Sequence, residues 1–488
     1  MLAGDARIGH PDGTGGGASD DRGRLFRGQG EVRLPRLRAR PQPQHHGWRV
    51  QDPRCRMGER AGLHGAVSYG LRPARGRPAP AMTIRRTPGD FLVEERPGAR
   101  FLARLSSDRG AHAVWRLTKE SLTTPAAVEG LARALGVRPG VVGYAGLKDK
   151  HARTSQLVSV PAPELRGPAG APPRLEARGW SAEFLGWSPE PVGGGGAASM
   201  EGNRFTIIVR GLTAARAREM DRRAALLRSG ANGSLVVLNY FGAQRFGSAR
   251  HGKGFAGRRL IEGDFEGALR LLIATPARKD SGKLRALTRA CAAKWGRWDE
   301  LARELPRLPE RRAVEALATG ASFKGAFGTL PQITQTMAVE AYQSHLWNET
   351  ARACAAAIVA QDQLLRSDDE FGAMLFPPAA AIDPDWRAVV VPLLARGSVL
   401  APPWAEAADR ALESEGIRVD DLRIPGLRRP FFGEALRPLF VEASSFEMST
   451  PVPDGADGAG RSRPLVRTVR FDLPRGSYAT VVLRALGE

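Results

Sequence analysis

The chain has 488 residues and a formal net charge of +21. This length is enough for two or three domains with separate cores, and the charge favours a polyanionic partner, with nucleic acid as the first choice. No window approaches ~18 uninterrupted apolar residues, and the N-terminus lacks the apolar core of a secretory signal. These features argue against a membrane protein and predict a soluble, cytoplasmic one.

Cysteine and histidine spacing gives no sign of a metal site. Cys55, Cys291 and Cys354 are far apart and form no CxxC pair, and the eight histidines include no HExxH pattern. Structural zinc sites and disulfide frameworks are usually visible in such spacings. We therefore expect reduced thiols, no disulfide and no metal.

The first 81 residues differ in composition from the rest. They contain fifteen Arg and seven Asp or Glu, a net charge of +8 that leaves +13 for the remainder, and they keep neither helical nor strand periodicity. Such a segment could be a basic RNA-binding arm. A disordered extension, or upstream sequence translated from a start codon set too early, is favoured because patterned sequence begins abruptly at Met82.

From Met82 onward, strand-like and helix-like patterns alternate, which predicts an α+β fold. In chain order they predict a strand at 83–96, a helix at 123–137, strands at 141–146 and 155–162, a strand at 203–212, a helix at 215–228, a helical region at about 249–360, a Pro- and Ala-rich stretch at about 376–403, and strands at 468–486. Thr124 is the expected N-cap of the first helix. Val481 and Leu483 extend the C-terminal period of two, and the glycine run at 193–196 predicts a loop.

One acidic residue stands out because bases surround it. The stretch "GYAGLKDKHARTSQ", residues 143–156, places Asp149 between Lys148 and Lys150 on a loop between two predicted strands. Neighbouring cations favour an ionised carboxylate and attract RNA phosphates. The basic side chains around Asp149 would then keep its carboxylate charged and attract RNA to it. The alternative is an ordinary loop aspartate that caps a turn or forms a surface ion pair.

Several motifs, in this order along the chain, resemble the TruD family of tRNA pseudouridine synthases. The segments that carry the resemblance are "PGDFLVEE" at 88–95, "GYAGLKDKHARTSQ", "GNRF" at 202–205, "NYFGAQRFG" at 239–247, "EAYQSHLWNE" at 340–349 and "LPRGSYATVVLR" at 473–484. No single motif is decisive, but together they are specific. The resemblance runs from about Met82 to the C-terminus and leaves residues 1–81 unexplained.

The resemblance implies a fold and a reaction. The fold is a pseudouridine synthase catalytic core with a mixed or antiparallel sheet and helices, formed by residues 82–238 and 426–488, with an α/β TRUD domain inserted at 239–425 and a C-terminal strand pair closing the core. The reaction flips a uridine out of tRNA, breaks its glycosidic bond, rotates the uracil and joins it to the ribose through carbon, without a cofactor. The implied target is uridine 13 in the D-arm.

The resemblance also implies site residues. Asp149 takes the position of the catalytic aspartate, and its role agrees with chemistry that needs an ionised carboxylate as nucleophile or as partner of a cationic sugar. Arg85, or alternatively Arg86, and Lys148 would support its charge. The residues expected to bind the base or RNA are Phe91, Asn203, Phe205, Gln244, Arg245 and Tyr478.

Bland interpretations of these residues stay open. Phe91 and Phe205 could be core residues, and Asn203 could fix a turn. Gln244, Arg245 and Tyr478 have no individual role assigned. The stretch before "GNRF" reads "PVGGGGAASME". The family usually has several basic residues there, so some contacts to RNA phosphates could be missing.

Two rival functions remain at this stage. A non-catalytic RNA-binding protein or RNA chaperone would use the basic charge alone, but it gains nothing from a carboxylate in a basic groove. A uridine-directed methyltransferase would need a glycine-rich cofactor loop followed by a helix, and "GGGG" lacks the GxGxxG spacing. We expect a monomer that acts on tRNA.

Overall fold

The structure is a computed structural model that describes residues 82–165, 171–193, 200–230, 233–247, 249, 252–277, 280–455 and 464–488. The predictions for residues 1–81, and for 194–196 of the glycine run, lie outside the described residues.

The described residues contain strands and helices in the following order. The strands are β1 Phe91–Arg96, β2 His112–Glu120, β3 Gly143–Tyr144, β4 Arg153–Pro161, β5 Arg174–Ala177, β6 Trp180–Ser188, β7 Gly202–Leu212, β8 Arg228–Ser229, β9 Ser234–Leu238, β10 Leu365–Ser367, β11 Met374–Phe376, β12 Val390–Leu393, β13 Ala435–Pro438, β14 Phe440–Met448, β15 Val452–Pro453 and β16 Leu465–Pro474. The helices are α1 Ala99–Leu102, α2 Thr124–Leu135, α3 Ala214–Leu227, α4 Ala256–Ile261, α5 Phe265–Ile273, α6 Gly282–Ala293, α7 Trp298–Glu304, α8 Arg311–Ala318, α9 Phe323–Gly328, α10 Gln332–Ile358, α11 Pro384–Arg387, α12 Ala405–Ser414 and α13 Ala479–Ala485.

A large mixed sheet organises the chain. Its strand order is β5-β6-β2-β4-β1-β7-β16-β14-β9-β8, with β3 attached to β4 and β15 attached to β16. The pair β1 and β4 is parallel, whereas β7 is antiparallel to both β1 and β16. A mixed sheet covered by helices is the predicted α+β fold, which is confirmed.

Strand β7 shows why the centre of the sheet is stable. Its β-branched run alternates, with Ile207 and Val209 buried and Thr206 and Ile208 partly exposed, as expected for a strand with one face against the core. Opposite it in the register, Phe471 of β16 is fully buried. The two strands place the aromatic and aliphatic side chains of distant segments in one core.

The first predicted helix is confirmed as α2, but its N-cap is Thr123 and not Thr124. The Thr123 hydroxyl accepts the N–H of Ala126 at 3.3 Å, so the helix starts at Thr124, one residue earlier than a cap at Thr124 would give. Pro125 lies in the first turn, and Gly136 ends the helix with φ of 68°. Thr124, released from capping, turns inward and is 1% exposed.

The predicted C-terminal strand pair is wrong. Strand β16 forms as expected, but the second element is helix α13. Val482 is buried together with Val481 and Leu483, so this segment has no exposed face with a period of two. Two apolar residues were too short a pattern to distinguish a strand from a buried helix.

A long segment separates two neighbouring strands. Strands β9 and β14 pair antiparallel, with Leu238 opposite Phe440, and the chain between them contains α4 to α12 and the two small sheets β10-β11 and β12-β13. This segment includes the predicted inserted domain at 239–425, whose boundaries stay a prediction. Its buried residues belong to the same core cluster as β7 and β16.

Candidate active site

Asp149 lies on the loop between β3 and β4, where two distant segments reach its carboxylate. One oxygen, Oδ2, is 2.8 Å from Nη1 of Arg85 and accepts a hydrogen bond from Nε2 of Gln244 at 3.1 Å. The other oxygen, Oδ1, accepts the backbone N–H of His151 at 2.9 Å. The side chain is 16% exposed, so the carboxylate is fixed on several sides while part of it stays open to solvent.

Arg85 is the cation at this carboxylate. It precedes the short 3₁₀ turn that leads into β1, and its guanidinium lies 4.3 Å from the centre of the Phe91 ring. The neighbouring Arg86 instead points toward Asp454, at 3.9 Å. Of the two candidates considered from the sequence, Arg85 is therefore the one placed at Asp149.

Lys148, the residue next to Asp149, forms a different pair. Its ammonium is 3.0 Å from Oε1 of Glu95 and donates to Oδ1 of Asn203 at 2.8 Å. Glu95 and Asn203 are opposite each other on β1 and β7, which explains how one lysine reaches both. The side chains of the pair are 8% and 1% exposed. Lys148 is thus paired with Glu95, and this ion pair connects the loop to the sheet.

A buried lysine that the sequence analysis did not single out lies beneath the same loop. The Nζ of Lys119 donates to the backbone carbonyls of Asp149 at 2.7 Å and Leu122 at 2.8 Å. Burial lowers the pKa of Lys119, while the Asp149 carboxylate raises it and the Lys148 ammonium lowers it further. This residue occupies an inward position of β2.

Two more buried polar side chains hold the approach to Asp149. Thr124 Oγ1 accepts the backbone N–H of Lys148 at 2.9 Å and donates to Oε1 of Gln156 at 3.1 Å. Gln156 in turn donates to the carbonyl of Gly146 at 3.2 Å. The loop backbone is therefore bound to α2 and β4, which limits its movement.

The two predicted stacking residues are part of the core. Phe91 and Phe205 are 3% and 8% exposed, and their ring centres are 6.3 Å apart in an edge-to-face arrangement. Phe205 also contacts Phe471, with ring centres 5.7 Å apart. Packing accounts for both rings, and the guanidinium of Arg85 covers Phe91.

The remaining predicted residues lie on the segment after β9 and on the C-terminal turn. Arg245 pairs with Glu340 at 3.0 Å and donates to Ser344 on α10 at 3.1 Å, so it does not reach Asp149 as Gln244 does. The ring of Tyr478 packs against Phe241, with centres 6.1 Å apart. The motifs at 239–247, 340–349 and 473–484 are therefore in mutual contact.

Arg437, which no sequence pattern indicated, joins these motifs. Its guanidinium is 4.0 Å from the centre of the Phe241 ring. It donates to the carbonyl of Asn239 at 2.8 Å and of Gly476 at 2.9 Å. Burial lowers its pKa to about 10. It thereby fixes the segment that presents Gln244 to Asp149.

Two features are absent from the described part of the chain. No group of three or more His, Cys, Asp or Glu side chains there is arranged to hold a metal ion. In the same part of the chain, no helix has both the length and the apolar character needed to cross a membrane.

Comparison with known proteins decides the family. A family model described as tRNA pseudouridine synthase D (TruD) matches residues 75–486. The chain belongs to the TruD family. This confirms the predicted family and the predicted enzyme class, a tRNA pseudouridine synthase.

Individual TruD relatives match over most of their length. A tRNA pseudouridine synthase D from Aquifex aeolicus is 28% identical over 418 residues, which cover 81% of this chain and 98% of that protein. One from Geotalea daltonii is also 28% identical and covers 82% and 95%. A crystal structure described as TruD from Methanosarcina mazei superposes with a TM-score of 0.58 at 23% identity, covering 83% of this chain and 92% of that one. This last similarity supports the fold.

Proposed function

We propose that this TruD-family chain converts uridine 13 in the D-arm of tRNA to pseudouridine, with Asp149 as the catalytic residue. The observation that carries the proposal is the carboxylate itself, which is held by Arg85 and Gln244 and is still 16% exposed. A residue that only capped a turn would need the His151 contact alone. The proposed substrate is tRNA, and we propose that the protein acts as a cytoplasmic monomer.

The role of Asp149 follows from the bond that must break. Detaching uracil from C1′ leaves positive charge on the ribose, and an ionised carboxylate either attacks that carbon or stabilises the charge. A bidentate-capable guanidinium at one oxygen fixes the direction of the carboxylate. The opposite side stays available for the sugar of a flipped nucleotide.

The side chain of Asn203 suggests how uracil is read. Its Oδ1 already accepts a hydrogen bond from Lys148, so its amide nitrogen is the group left to donate. A donor fits a uracil carbonyl oxygen. We propose that Asn203 binds such an oxygen, with Phe91 and Phe205 as the rigid floor of the pocket and Gln244, Arg245 and Tyr478 on its far wall.

The position of the long segment after β9 suggests how the chain is divided into two domains. We propose that residues 82–238 and 426–488 form the catalytic domain and that residues 239–425 form the inserted domain. RNA then lies between the two domains, because Gln244, near the start of the inserted domain, contacts Asp149 of the catalytic domain. A flipped base needs its flanking strand to be held on both sides.

The test compares Asp149→Asn with a matched control, Asp299→Asn, which alters an exposed aspartate on α7. Purified proteins are incubated with unmodified tRNA, and pseudouridine is mapped by carbodiimide-dependent primer extension. We expect the Asp149 variant to bind tRNA and form no pseudouridine, and the control to modify position 13.

Two outcomes would contradict the proposal. Measurable turnover by Asp149→Asn would show that Asp149 is not the catalytic residue. If tRNA binding occurs but the wild-type protein forms no pseudouridine, the non-catalytic RNA-binding function is supported instead.

A further inference from the structure

Lys119 is a buried charge that the proposed reaction does not itself require. On β2 the side chains of Ala113, Trp115 and Leu117 are fully buried, and Lys119 continues this inward row with 1% exposure. A period of two calls for an apolar residue at this position. The ammonium is placed where the strand ends, directly beneath the loop that carries Asp149.

The partners of this ammonium are carbonyl groups. It donates to Asp149 O and Leu122 O, and no carboxylate of the described residues lies within ion-pair distance of it. Burying an ammonium is costly, and only a well-placed counter-ion fully offsets the loss of its hydration. The two carbonyls offset only part of that cost, so folding stability alone does not explain an ammonium at this position.

The contact to Asp149 differs from the other contacts of the loop. Thr124 and Gln156 bind the backbone at Lys148 and Gly146, before the acid, and Arg85 binds the carboxylate. Lys119 binds the backbone carbonyl of Asp149 itself. This bond holds the backbone at the same residue whose side chain Arg85 holds.

We propose that Lys119 is a positioning residue of the reaction, which fixes the backbone of Asp149 and places an ammonium group next to the residue that carries the carboxylate. The proposal rests on the proposed function of Asp149. The sequence predicted Arg85 and Lys148 as the cations that support the charge of Asp149. Arg85 contacts the carboxylate, whereas the ammonium of Lys148 is bound by Glu95. Lys119 takes the place beside Arg85 that was expected of Lys148.

The test uses two neutral variants, Lys119→Met and Lys119→Gln, and one charged variant, Lys119→Arg. Single-turnover rates of pseudouridine formation are measured at saturating tRNA, together with the Kd for tRNA and the melting temperature. Arg116→Met is the control, since it removes an exposed positive charge from the opposite face of the same strand.

We expect both neutral variants to lose about 10²-fold in rate, the size of effect that a displacement of about 1 Å in a reacting group produces. The Kd for tRNA should stay unchanged, because the ammonium is not accessible to RNA. Lys119→Arg should be faster than either neutral variant, and the control should match the wild type. If Lys119→Met does not fold, Lys119→Gln and Lys119→Arg provide the same comparison.

The proposal is overturned if the neutral variants turn over at the wild-type rate. It is also overturned if all three variants lose rate, RNA affinity and melting temperature together, since that pattern marks a residue needed only for folding. Asp149→Asn is measured in parallel. Activity in that variant would remove the proposed function itself, whereas an inactive Asp149→Asn beside a fully active Lys119→Met would remove the role of Lys119 alone.

Discussion

Replacing Arg85 by methionine removes the guanidinium from the carboxylate of Asp149 and leaves the other two contacts of that carboxylate in place. The charged atoms are 2.8 Å apart, and the two side chains are 29% and 16% exposed. Unit charges about 4 Å apart interact by roughly 4 kcal/mol near a protein surface. Water on the open side weakens this, so about 2 kcal/mol is left, a typical value for a charge-assisted hydrogen bond.

This interaction energy between Arg85 and Asp149 stabilises one orientation of the carboxylate. Aspartates are ordinarily ionised at neutral pH without a cation, so the expected loss is one of orientation. If the whole of it appears in the barrier, about 2 kcal/mol corresponds to a rate loss of roughly 30-fold. The melting temperature should change little, because surface-accessible ion pairs contribute at most about 1 kcal/mol to folding.

The assay is single-turnover conversion of tRNA at saturating enzyme, with Arg86→Met as the matched control. Arg86 carries the same charge one residue along and points toward Asp454, so its loss should leave the saturated rate unchanged. A wild-type rate for Arg85→Met, or equal losses for the two variants, would refute the assignment of Arg85 as the cation that orients Asp149.

Two further predictions concern stability and the N-terminal segment. Glu95→Gln leaves the buried ammonium of Lys148 without its carboxylate, and breaking such a pair typically costs about 3–5 kcal/mol; urea unfolding should show this loss, while Glu94→Gln on the exposed side of β1 should not. Starting translation at Met82 should leave the melting temperature and turnover nearly unchanged, because residues 1–81 lack the apolar pattern needed to pack on a core; a large fall in either quantity would identify a functional arm.

Local sequence patterns were enough to predict much of the fold. The apolar spacing of α2 and the β-branched run of β7 are each local patterns, so neighbouring residues were enough to predict both elements, although the N-cap of α2 was misplaced by one residue. The C-terminal helix α13 was missed because Val481 and Leu483 fit either a strand or a buried helix. What decides between them is packing against the rest of the core, which is a long-range property.

The role of Asp149 stays a prediction, but the contacts of its carboxylate can be compared with those that the sequence suggested. Sequence proximity suggested Lys148 as one partner, but successive side chains on a loop point in different directions, and this one reaches Glu95. Arg85, which the family resemblance indicated, comes from a separate segment and contacts the carboxylate. Lys119 was visible in principle, because a lysine in the apolar row of β2 breaks the alternation. Arg437 left no such trace.

The position of β16 has a consequence for how the chain folds as it is synthesised. This C-terminal strand lies between β7 and β14, and the ion pair of Arg204 with Asp472 joins residues 268 positions apart. Until β16 has left the ribosome, the edge of β7 that it covers has no partner, and an unpaired apolar edge promotes association with other chains. Contacts of such long range also slow folding. The core around β7 is therefore completed only once β16 has been synthesised, and until then the exposed edge of β7 must be protected from other chains.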